Sequence, residues 1–284
     1  MEVIRAKRAG ACYGVQRALD VADEVIAGGS RAFTLGPLIH NPQVVADLAE
    51  RGAAAVKDVE AIAWNGEGEA PSVVIRSHGV TPEVLSDVEE RGFAVVDATC
   101  PHVSRAQHAA AELAAEGCRV LVVGEEGHPE VEGLTAWARQ AGGKVDVVAD
   151  PADIPEGLYD PIGVVAQTTQ RRENLQAVVA ALREAGLDPL VRDTICSATR
   201  QRQEAAAELA ANVGAMVVIG GRNSSNTTRL AEVCALTCPR TFHIESADEL
   251  DPAAFKGCAR VGVTAGASTP ENQIAAVEAF LKTL

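Results

Sequence analysis

Short apolar runs alternate with amphipathic segments along the chain, and one such unit recurs three times. Its helical part begins at a cysteine and stops at glycine: "CYGVQRALDVADEVIAGG", "CPHVSRAQHAAAELAAEG" and "CSATRQRQEAAAELAANVG". An apolar run then follows, reading "RAFTLG", "RVLVVG" or "AMVVIG". Apolar residues at helical spacing before a glycine predict helices, and the short apolar runs predict buried strands. Strands that alternate with helices predict mostly parallel sheets.

The repeat extends beyond these segments. A second helix, a second strand ending in polar residues ("SVVIRSHG", "IGVVAQTT", "RVGVTAGAS"), a third helix and a last strand lead into the next cysteine. The third copy ends at "AAVEAFLKTL" without its last strand, and the N-terminal "MEVIRA" supplies one. The pattern therefore predicts three α/β lobes around a pseudo-threefold axis, formed by residues 13–97, by residues 98–193, and by residues 1–12 with 194–284.

Cys12, Cys100 and Cys196 occupy the same position in each copy of the repeat. Ligands of parallel sheets bind beyond the carboxyl ends of the strands, so we expect the three thiols to face one central space. The alternative is that similar turns merely contain similar residues, but such turns require glycine and not cysteine. The other four cysteines have no counterparts and are interpreted as buried or incidental thiols: Cys118, Cys234, Cys238 and Cys258.

Three thiolates suit zinc or an iron–sulfur cluster. A closed structural zinc site needs a fourth ligand, and a fully ligated cubane uses four cysteines. Three cysteines therefore leave one metal position open to a substrate oxygen. The threefold pattern favours a cluster over zinc modestly, because it fits the face of a cubane.

Neutral hydrogen-bonding residues follow the predicted strands. This set comprises His40, His78, Ser224, Ser225, Asn226 and Ser268. Consecutive donors before a helix form an anion site, typically for phosphate, so the set indicates a diphosphate. Two alternatives stay open: Ser225 or Asn226 is simply a helix cap, and His40 and His78 are core histidines.

The stretch "GEEGHPEVEG" places a histidine and a glutamate, which we expect to be exposed, at the turn after the strand "RVLVV". His128 aligns with His40 and Ser224 in the other copies of the repeat. Glu130 aligns with Pro42 and Asn226 and is the only acid at that repeat position. Since the thiolates already account for a metal, Glu130 is interpreted as a proton donor.

Composition and charge narrow the function classes. The chain has 284 residues, 47% of them hydrophobic, and a formal net charge of −14. An acidic chain argues against nucleic-acid binding. No apolar run approaches a membrane span, and the N-terminus lacks a signal-peptide pattern, so a soluble cytoplasmic protein is expected.

Taken together, the motifs resemble one enzyme family over nearly the whole chain. They read "GACYGVQRA", "GPLIHNPQVV", "SHGV", "DATCP", "GHPEVEG", "QTT", "NSSNTTRL" and "GVTAGAS". This set is similar to the signature blocks of 4-hydroxy-3-methylbut-2-enyl diphosphate reductases. The resemblance implies an iron–sulfur oxidoreductase of the non-mevalonate isoprenoid pathway. Such an enzyme removes the allylic hydroxyl reductively and yields isopentenyl and dimethylallyl diphosphates.

The resemblance also implies roles for individual residues. Cys12, Cys100 and Cys196 match the three ligands of a [4Fe–4S] cluster with one open iron, which binds the substrate hydroxyl. Glu130 and His128 match the proton-relay pair, and Thr168 matches the threonine at the hydroxyl end of the substrate. The diphosphate pocket matches His40, His78, Ser224, Ser225, Asn226 and Ser268. Ferredoxin or flavodoxin is the implied electron donor.

Two departures from the family pattern are visible. Ala11 stands next to the first ligand, where the family usually has an aromatic residue. We expect this difference to affect the packing beside the cluster and not the ligation of the cluster. The chain ends at Leu284, where many relatives continue, so we expect any closing role of that tail to be absent or replaced.

Three competing interpretations are weaker. A quinolinate-synthase-like dehydratase would favour Arg or Lys at the strand ends, where only Arg76 and Arg222 lie nearby. A non-catalytic iron–sulfur sensor leaves Glu130 and the anion-binding residues unexplained. A zinc deaminase would explain "HPE", but its Pro-Cys-x-x-Cys partner is missing.

Overall fold

The computed structural model describes residues 1–284 and contains three four-stranded parallel sheets. The strands of the first sheet are β2 (Ala32–Leu35), β3 (Ala53–Val56), β4 (Ser72–Ile75) and β5 (Ala94–Asp97). Those of the second are β6 (Arg119–Val123), β7 (Val145–Val148), β8 (Ile162–Ala166) and β9 (Leu190–Val191). The predicted class, three α/β lobes with parallel sheets, is confirmed.

The third sheet combines β10 (Ala215–Ile219), β11 (Thr241–Ile244) and β12 (Arg260–Ala265) with β1 (Glu2–Arg5) from the N-terminus. β1 pairs in parallel with β12, with Val3 opposite Val261. The strand orders are β3-β2-β4-β5, β7-β6-β8-β9 and β11-β10-β12-β1, so each sheet uses the same order. The N-terminal strand therefore completes the last sheet.

Nine α-helices connect the strands. They are α1 (Tyr13–Ala27), α2 (Pro42–Glu50), α3 (Pro82–Glu90), α4 (Pro101–Ala115), α5 (Pro129–Gln140), α6 (Arg172–Glu184), α7 (Ser197–Ala210), α8 (Ser225–Ala235) and α9 (Glu271–Lys282). Short 3-10 helices lie at Val59–Ala61, Pro151–Asp153, Ala247–Glu249 and Pro252–Phe255. None of the helices combines the length and the apolar character that crossing a bilayer requires.

The chain divides into two compact units. The first contains Met1–Val15, His40–Pro42 and Ser197–Leu284, and it holds the third sheet. The second contains Gln16–Ile39 and Gln43–Cys196, and it holds the first and second sheets. The lobe boundaries drawn from the repeat stay a prediction.

The last strand of the second sheet is shorter than the pattern "LVRDTIC" indicates. The Arg192 amide still donates to the Val164 carbonyl of β8 at 2.9 Å, and side chains supply the next hydrogen bonds. Thr194 Oγ1 accepts from the Ala166 amide at 2.8 Å and donates to the Ala166 carbonyl at 2.5 Å. The Asp193 carboxylate accepts from the Ile195 amide at 3.2 Å. The segment thus remains fixed to the sheet without strand geometry.

Two glycines at equivalent positions of β8 and β12 lie where a helix packs closely against the sheet. A Cβ at Gly163 in β8 would lie 2.9 Å from Cβ and Cδ1 of Leu113 in α4. A Cβ at Gly262 in β12 would come closest to Met216 Sδ in β10 and would lie 3.0 Å from Cγ and Cδ2 of Leu209 in α7. The equivalent residue of the first sheet, in β4, is Ser72, which is also small and buried. The helix that follows a cysteine therefore packs directly on strand backbone in the second and third sheets.

We expect Gly163→Ala and Gly262→Ala each to lower the free energy of unfolding by about 1–3 kcal/mol, because the added methyl overpacks the leucine contact. Urea unfolding followed by circular dichroism measures the change. Ser72→Ala is the matched control and should change the free energy of unfolding far less. Equal effects of all three substitutions would contradict the packing argument.

Candidate active site

Each predicted metal-ligating cysteine lies between the last strand of a sheet and a helix. Cys100 is the N-terminal cap of α4, Cys12 directly precedes α1, and Cys196 directly precedes α7. The positive end of a helix dipole stabilises an anionic group at this position. All three cysteines therefore lie next to the N-terminal end of a helix.

The backbone of each cysteine is tied to the end of a neighbouring strand in the same way. The amide of Cys12 donates to the Ala267 carbonyl at 3.2 Å, and that of Cys100 to the Ser77 carbonyl at 3.0 Å. The amide of Cys196 donates to the Thr168 carbonyl at 3.0 Å. The acceptors are equivalent residues, two positions after the end of β12, β4 and β8. The repeat thus fixes the backbone of each cysteine in the same way.

None of the seven cysteines forms a disulfide, and Cys118 and Cys234, which lie outside the repeat, are buried. Burial raises the pKa of Cys234 to about 12, with Cys238 contributing, and burial also raises the pKa of Cys118. A thiol with a raised pKa is a poor metal ligand because the thiolate is the ligating form. This supports the interpretation of both as packing residues. Cys238 is buried and Cys258 is partly exposed.

The structure groups no three His, Cys, Asp or Glu side chains in a position to hold a metal ion. Cys12 belongs to the first compact unit, whereas Cys100 and Cys196 belong to the second. Each unit alone therefore lacks a complete set of three repeat cysteines. Their common role stays a prediction.

Glu130 lies in the first turn of α5 and forms a closed pair with Thr168 after β8. Its Oε1 accepts from the Thr168 amide at 2.5 Å, and its Oε2 accepts from the Thr168 hydroxyl at 2.9 Å. The expectation that His128 and Glu130 are exposed is wrong, since their relative exposures are 9% and 1%. The reason is that α5 begins at Pro129, and its first turn packs Glu130 against the end of β8 instead of projecting it into solvent.

Burial raises the pKa of Glu130 to about 7, although both hydrogen bonds from Thr168 act to lower it. Desolvation disfavours the carboxylate more strongly than two donors stabilise it. A carboxyl with a pKa near neutrality exchanges a proton readily at physiological pH. Glu130 therefore has the environment of a proton-transfer group.

His128 is the N-terminal cap of α5, and its Nδ1 accepts from the Glu130 amide at 3.1 Å. Nδ1 is therefore unprotonated in this arrangement, and the ring proton of a neutral His128 resides on Nε2. The rings of His128 and His78 lie nearly perpendicular, with centroids 5.7 Å apart. The second unit thus brings together His78, His128, Glu130 and Thr168.

Gln167, the first residue of "QTT", is a further residue of this cluster, and the sequence pattern assigned it no role. It is fully buried, and its Oε1 accepts from the Glu125 amide at 3.2 Å. Its Nε2 is buried and has no partner within the protein. Its position at the end of a buried strand, next to Thr168, is the sequence feature that could have predicted it as part of the site. Gln167 links the loop before α5 to the strand end that holds Glu130.

The first unit gathers the polar residues of the third repeat around the segment His40–Pro42. The Ser268 hydroxyl donates to the His40 carbonyl at 3.0 Å, and Asn41 Nδ2 donates to the Ser268 carbonyl at 3.0 Å. His40 and Ser268, which are distant in sequence, are therefore neighbours in this unit.

The N-terminus of α8 carries three of the predicted binding residues. Ser224 is the cap, with its hydroxyl accepting from the Thr227 amide at 3.4 Å, so neither Ser225 nor Asn226 is the cap. The first turn has no acid. Asn226 is buried, and its Nδ2 donor has no partner within the protein. A partnerless donor at the positive end of a helix is suited to an anion.

The fold and the site define an α/β protein in which a cysteine precedes a helix in each of three repeats, a buried carboxyl of raised pKa contacts a strand end, and α8 begins with buried polar residues and no acid. A family model described as "LytB protein" matches residues 3–282. The chain belongs to this family, and it is an oxidoreductase.

The relatives in this family are named as reductases. The 4-hydroxy-3-methylbut-2-enyl diphosphate reductase of Pelobacter propionicus is 48% identical over 272 residues, covering 95% of this chain and 94% of the relative. The enzyme of the same name from Geobacter sulfurreducens is 49% identical over 274 residues, covering 95% and 93%.

Two solved structures share the fold. One is titled as (E)-4-hydroxy-3-methyl-but-2-enyl diphosphate reductase, the terminal enzyme of the non-mevalonate pathway. It is 40% identical with a TM-score of 0.70, and the match covers both chains completely. The other, the E-1-hydroxy-2-methyl-but-2-enyl-4-diphosphate reductase of Plasmodium falciparum, is 23% identical with a TM-score of 0.89 over 100% of this chain and 87% of that one. At that identity it supports the fold alone.

The raised pKa of Glu130 predicts a pH-dependent stability. Between the ordinary value of 4.5 and about 7, the folded protein keeps a proton that the unfolded chain has lost. The free energy of unfolding therefore falls as pH rises through this window and levels off above it. Glu130→Gln removes the effect, so the wild type should lose stability relative to this variant between about pH 4.5 and about pH 7.

Urea midpoints measured for both proteins across this range provide the check. Glu132→Gln, which changes an exposed acid in the same helix turn, is the control, and its difference from wild type should vary with pH far less than that of Glu130→Gln. A difference for Glu130→Gln that varies no more than that of the control would mean that the Glu130 carboxyl has no raised pKa.

Proposed function

We propose that this chain reductively removes the allylic hydroxyl of (E)-4-hydroxy-3-methylbut-2-enyl diphosphate, giving isopentenyl and dimethylallyl diphosphates. The C–O bond breaks, two electrons and two protons enter, and the hydroxyl leaves as water. The observation that carries the proposal is the buried Glu130–Thr168 pair, in a chain 48% identical to reductases named for this substrate.

Cys12, Cys100 and Cys196 would hold a [4Fe–4S] cluster with one iron left without a protein ligand. Their chemistry fits this group, because each is a cysteine outside any disulfide, at a helix N-terminus, with its amide donating to a carbonyl beyond a strand end. No acidic residue occurs in the seven positions after any of the three, although the chain has a net charge of −14. When bound, the cluster would supply single electrons and a Lewis-acidic iron.

The diphosphate is assigned to neutral donors and helix-terminal amides. In the first unit these are Ser224, Ser225 and Asn226 at the N-terminus of α8. His40 and Ser268, which contact each other although they are distant in sequence, belong to the same unit and are assigned to the same ligand. His78 and His128 of the second unit are assigned to the same ligand by the family resemblance. Binding the diphosphate positions the allylic end of the substrate and lowers the entropic cost of the reaction.

Glu130 is assigned the role of general acid for the departing hydroxyl. With a pKa of about 7, a large fraction of this carboxyl carries a proton at neutral pH. The Thr168 hydroxyl holds Oε2 and would also contact the hydroxyl end of the substrate. His128 accepts from the Glu130 amide and so fixes the turn that presents the acid.

Ferredoxin or flavodoxin is the proposed electron donor, on the resemblance alone. A cytoplasmic location stays a prediction as well.

A quinolinate-synthase-like dehydratase is the enzyme alternative, and it would need cations for a dicarboxylate. The Arg222 guanidinium is already paired with Glu249, and the backbone amide of Arg222 donates to the Glu245 carboxylate at 2.7 Å. Arg76 is partly buried, which lowers its pKa, and its Nε donates to the Gly79 carbonyl. A non-catalytic iron–sulfur sensor gives no reason for a buried acid of raised pKa.

The deciding experiment is anaerobic incubation of the iron-loaded protein with the hydroxylated allylic diphosphate and a reduced viologen dye. We expect oxidation of the dye and formation of both five-carbon diphosphates, identified by mass spectrometry. Turnover of a dicarboxylate instead would favour the dehydratase, and no turnover of either would favour the sensor.

We expect the wild type, purified anaerobically, to be brown, with about four irons per chain. Cys12→Ser, Cys100→Ser and Cys196→Ser should each lose most of the colour and iron, because serine is a poor ligand for iron in such clusters. Cys258→Ser, at a partly exposed thiol outside the repeat, is the control and should keep both. A colourless, zinc-loaded wild type would overturn the cluster assignment.

Glu130→Gln should keep the iron and bind the substrate, but its kcat should fall at least about 100-fold because the proton donor is lost. Steady-state kinetics with the viologen dye measure this value. Glu132→Gln should retain near-normal turnover. Near-normal turnover of Glu130→Gln would exclude the general-acid role.

A further inference from the structure

Two arginine side chains hold the loops that lead into predicted cluster ligands. In the second unit, Arg17 of α1 donates from Nη2 to the Asp97 carbonyl at 3.1 Å and from Nη1 to the Thr99 carbonyl at 3.2 Å. Thr99 directly precedes Cys100. One guanidinium therefore spans the turn between β5 and the cysteine.

In the first unit, Arg202 of α7 makes the corresponding contact. Its Nη2 donates to the Gly10 carbonyl at 2.7 Å, two residues before Cys12, and its Nη1 donates to the Ala198 carbonyl at 3.2 Å. Arg202 is 5% exposed. The amide of Gly10 donates to the Ala265 carbonyl at 3.2 Å. The loop before Cys12 is thus held from the sheet on one side and from α7 on the other.

The two contacts follow one rule. α1, which carries Arg17, follows Cys12, and Arg17 holds the loop before Cys100. α7, which carries Arg202, follows Cys196, and Arg202 holds the loop before Cys12. In each case the helix after one repeat cysteine fixes the approach to a different one.

The third helix of this kind lacks the contact and provides an internal comparison. Arg105 of α4 lies five residues after Cys100, as Arg17 lies five residues after Cys12, whereas Arg202 lies six residues after Cys196. It is exposed, and its one hydrogen bond runs to His102 Nδ1 at 3.3 Å. Arginine at this position therefore does not by itself create the contact with a ligand loop.

We propose that Arg17 and Arg202 are positioning residues for cluster ligation, with Arg17 setting the loop of Cys100 and Arg202 setting the loop of Cys12. The inference rests on the proposed function, because it assigns a cluster to these cysteines. A hydrogen bond from a charged donor is stronger than a neutral one, so each arginine rigidifies its loop before the cluster enters.

The positive charges have a second consequence. A cluster with three thiolates becomes more negative when it accepts an electron, and a cation close to the ligands stabilises this added charge. Removing either guanidinium should therefore lower the reduction potential of the bound cluster, whereas lysine should retain part of the effect.

Hydrogen exchange of the reduced, metal-free protein, read by mass spectrometry, tests the positioning role without activity. Arg202→Met should speed exchange at least about tenfold in residues 6–12 and leave residues 94–100 unchanged. Arg17→Met should do the reverse. Arg105→Met, the matched control, should change neither segment.

This crossed pattern supports the proposal. Equal acceleration in both segments, or none in either, overturns it. If Arg202→Met does not fold, Arg202→Lys replaces it and should give an exchange rate in residues 6–12 between those expected for wild type and for Arg202→Met. The comparison of Arg17→Met with Arg105→Met then tests residues 94–100 by the same criterion.

The iron-loaded protein separates this inference from the proposed function. Fewer irons per chain and a lower cluster potential in Arg17→Met and Arg202→Met, with Arg105→Met like wild type, support the role in ligation. An unchanged potential and iron content in all three would overturn it while leaving the cluster in place. A wild type that binds no iron would instead refute the cluster, whatever the exchange data show.

Discussion

The structure depends on one backbone hydrogen bond that occurs three times. In each repeat, the amide of a cysteine donates to the carbonyl two residues beyond a parallel strand. This bond ends the ladder, starts the next helix and fixes the sulfur at the helix N-terminus. Because β4, β8 and β12 hold the same place in the strand order of their sheets, the three cysteines acquire the same setting.

The chemistry of Glu130 follows from a balance of opposing effects. Thr168 supplies two donors that favour the carboxylate, yet burial dominates and keeps the pKa near 7. If the site were more open, the acid would lose its proton at neutral pH. If Thr168 were absent, burial would raise the pKa of Glu130 further. The same two hydrogen bonds also fix both carboxyl oxygens in place.

The sequence predicts the architecture well because the repeat gives each element three independent copies. The closure of the third sheet by "MEVIRA" follows from the one strand that the third copy lacks, and the pairing of β1 with β12 confirms it. The position of Cys12, Cys100 and Cys196 before helices follows from the same periodicity.

Other features depend on tertiary contacts that local pattern does not encode. The burial of Glu130 depends on packing against the strand end of Thr168, 38 residues later. The short β9 results from the hydroxyl of Thr194 bonding to Ala166. The contact of Arg202 with Gly10 joins residues 192 positions apart. In each case a side chain forms a hydrogen bond within the protein that the sequence pattern does not predict.

The pairing of β1 with β12 also sets an order of assembly during synthesis. β1 leaves the ribosome well before its partner β12 and the Ala267 carbonyl that holds Cys12. Residues 16–196, which build the first and second sheets, have all emerged long before then. The loop of Cys12 therefore reaches its final position only after Ala267 has been made, so a nascent chain that ends before this residue cannot present all three repeat cysteines in their final settings.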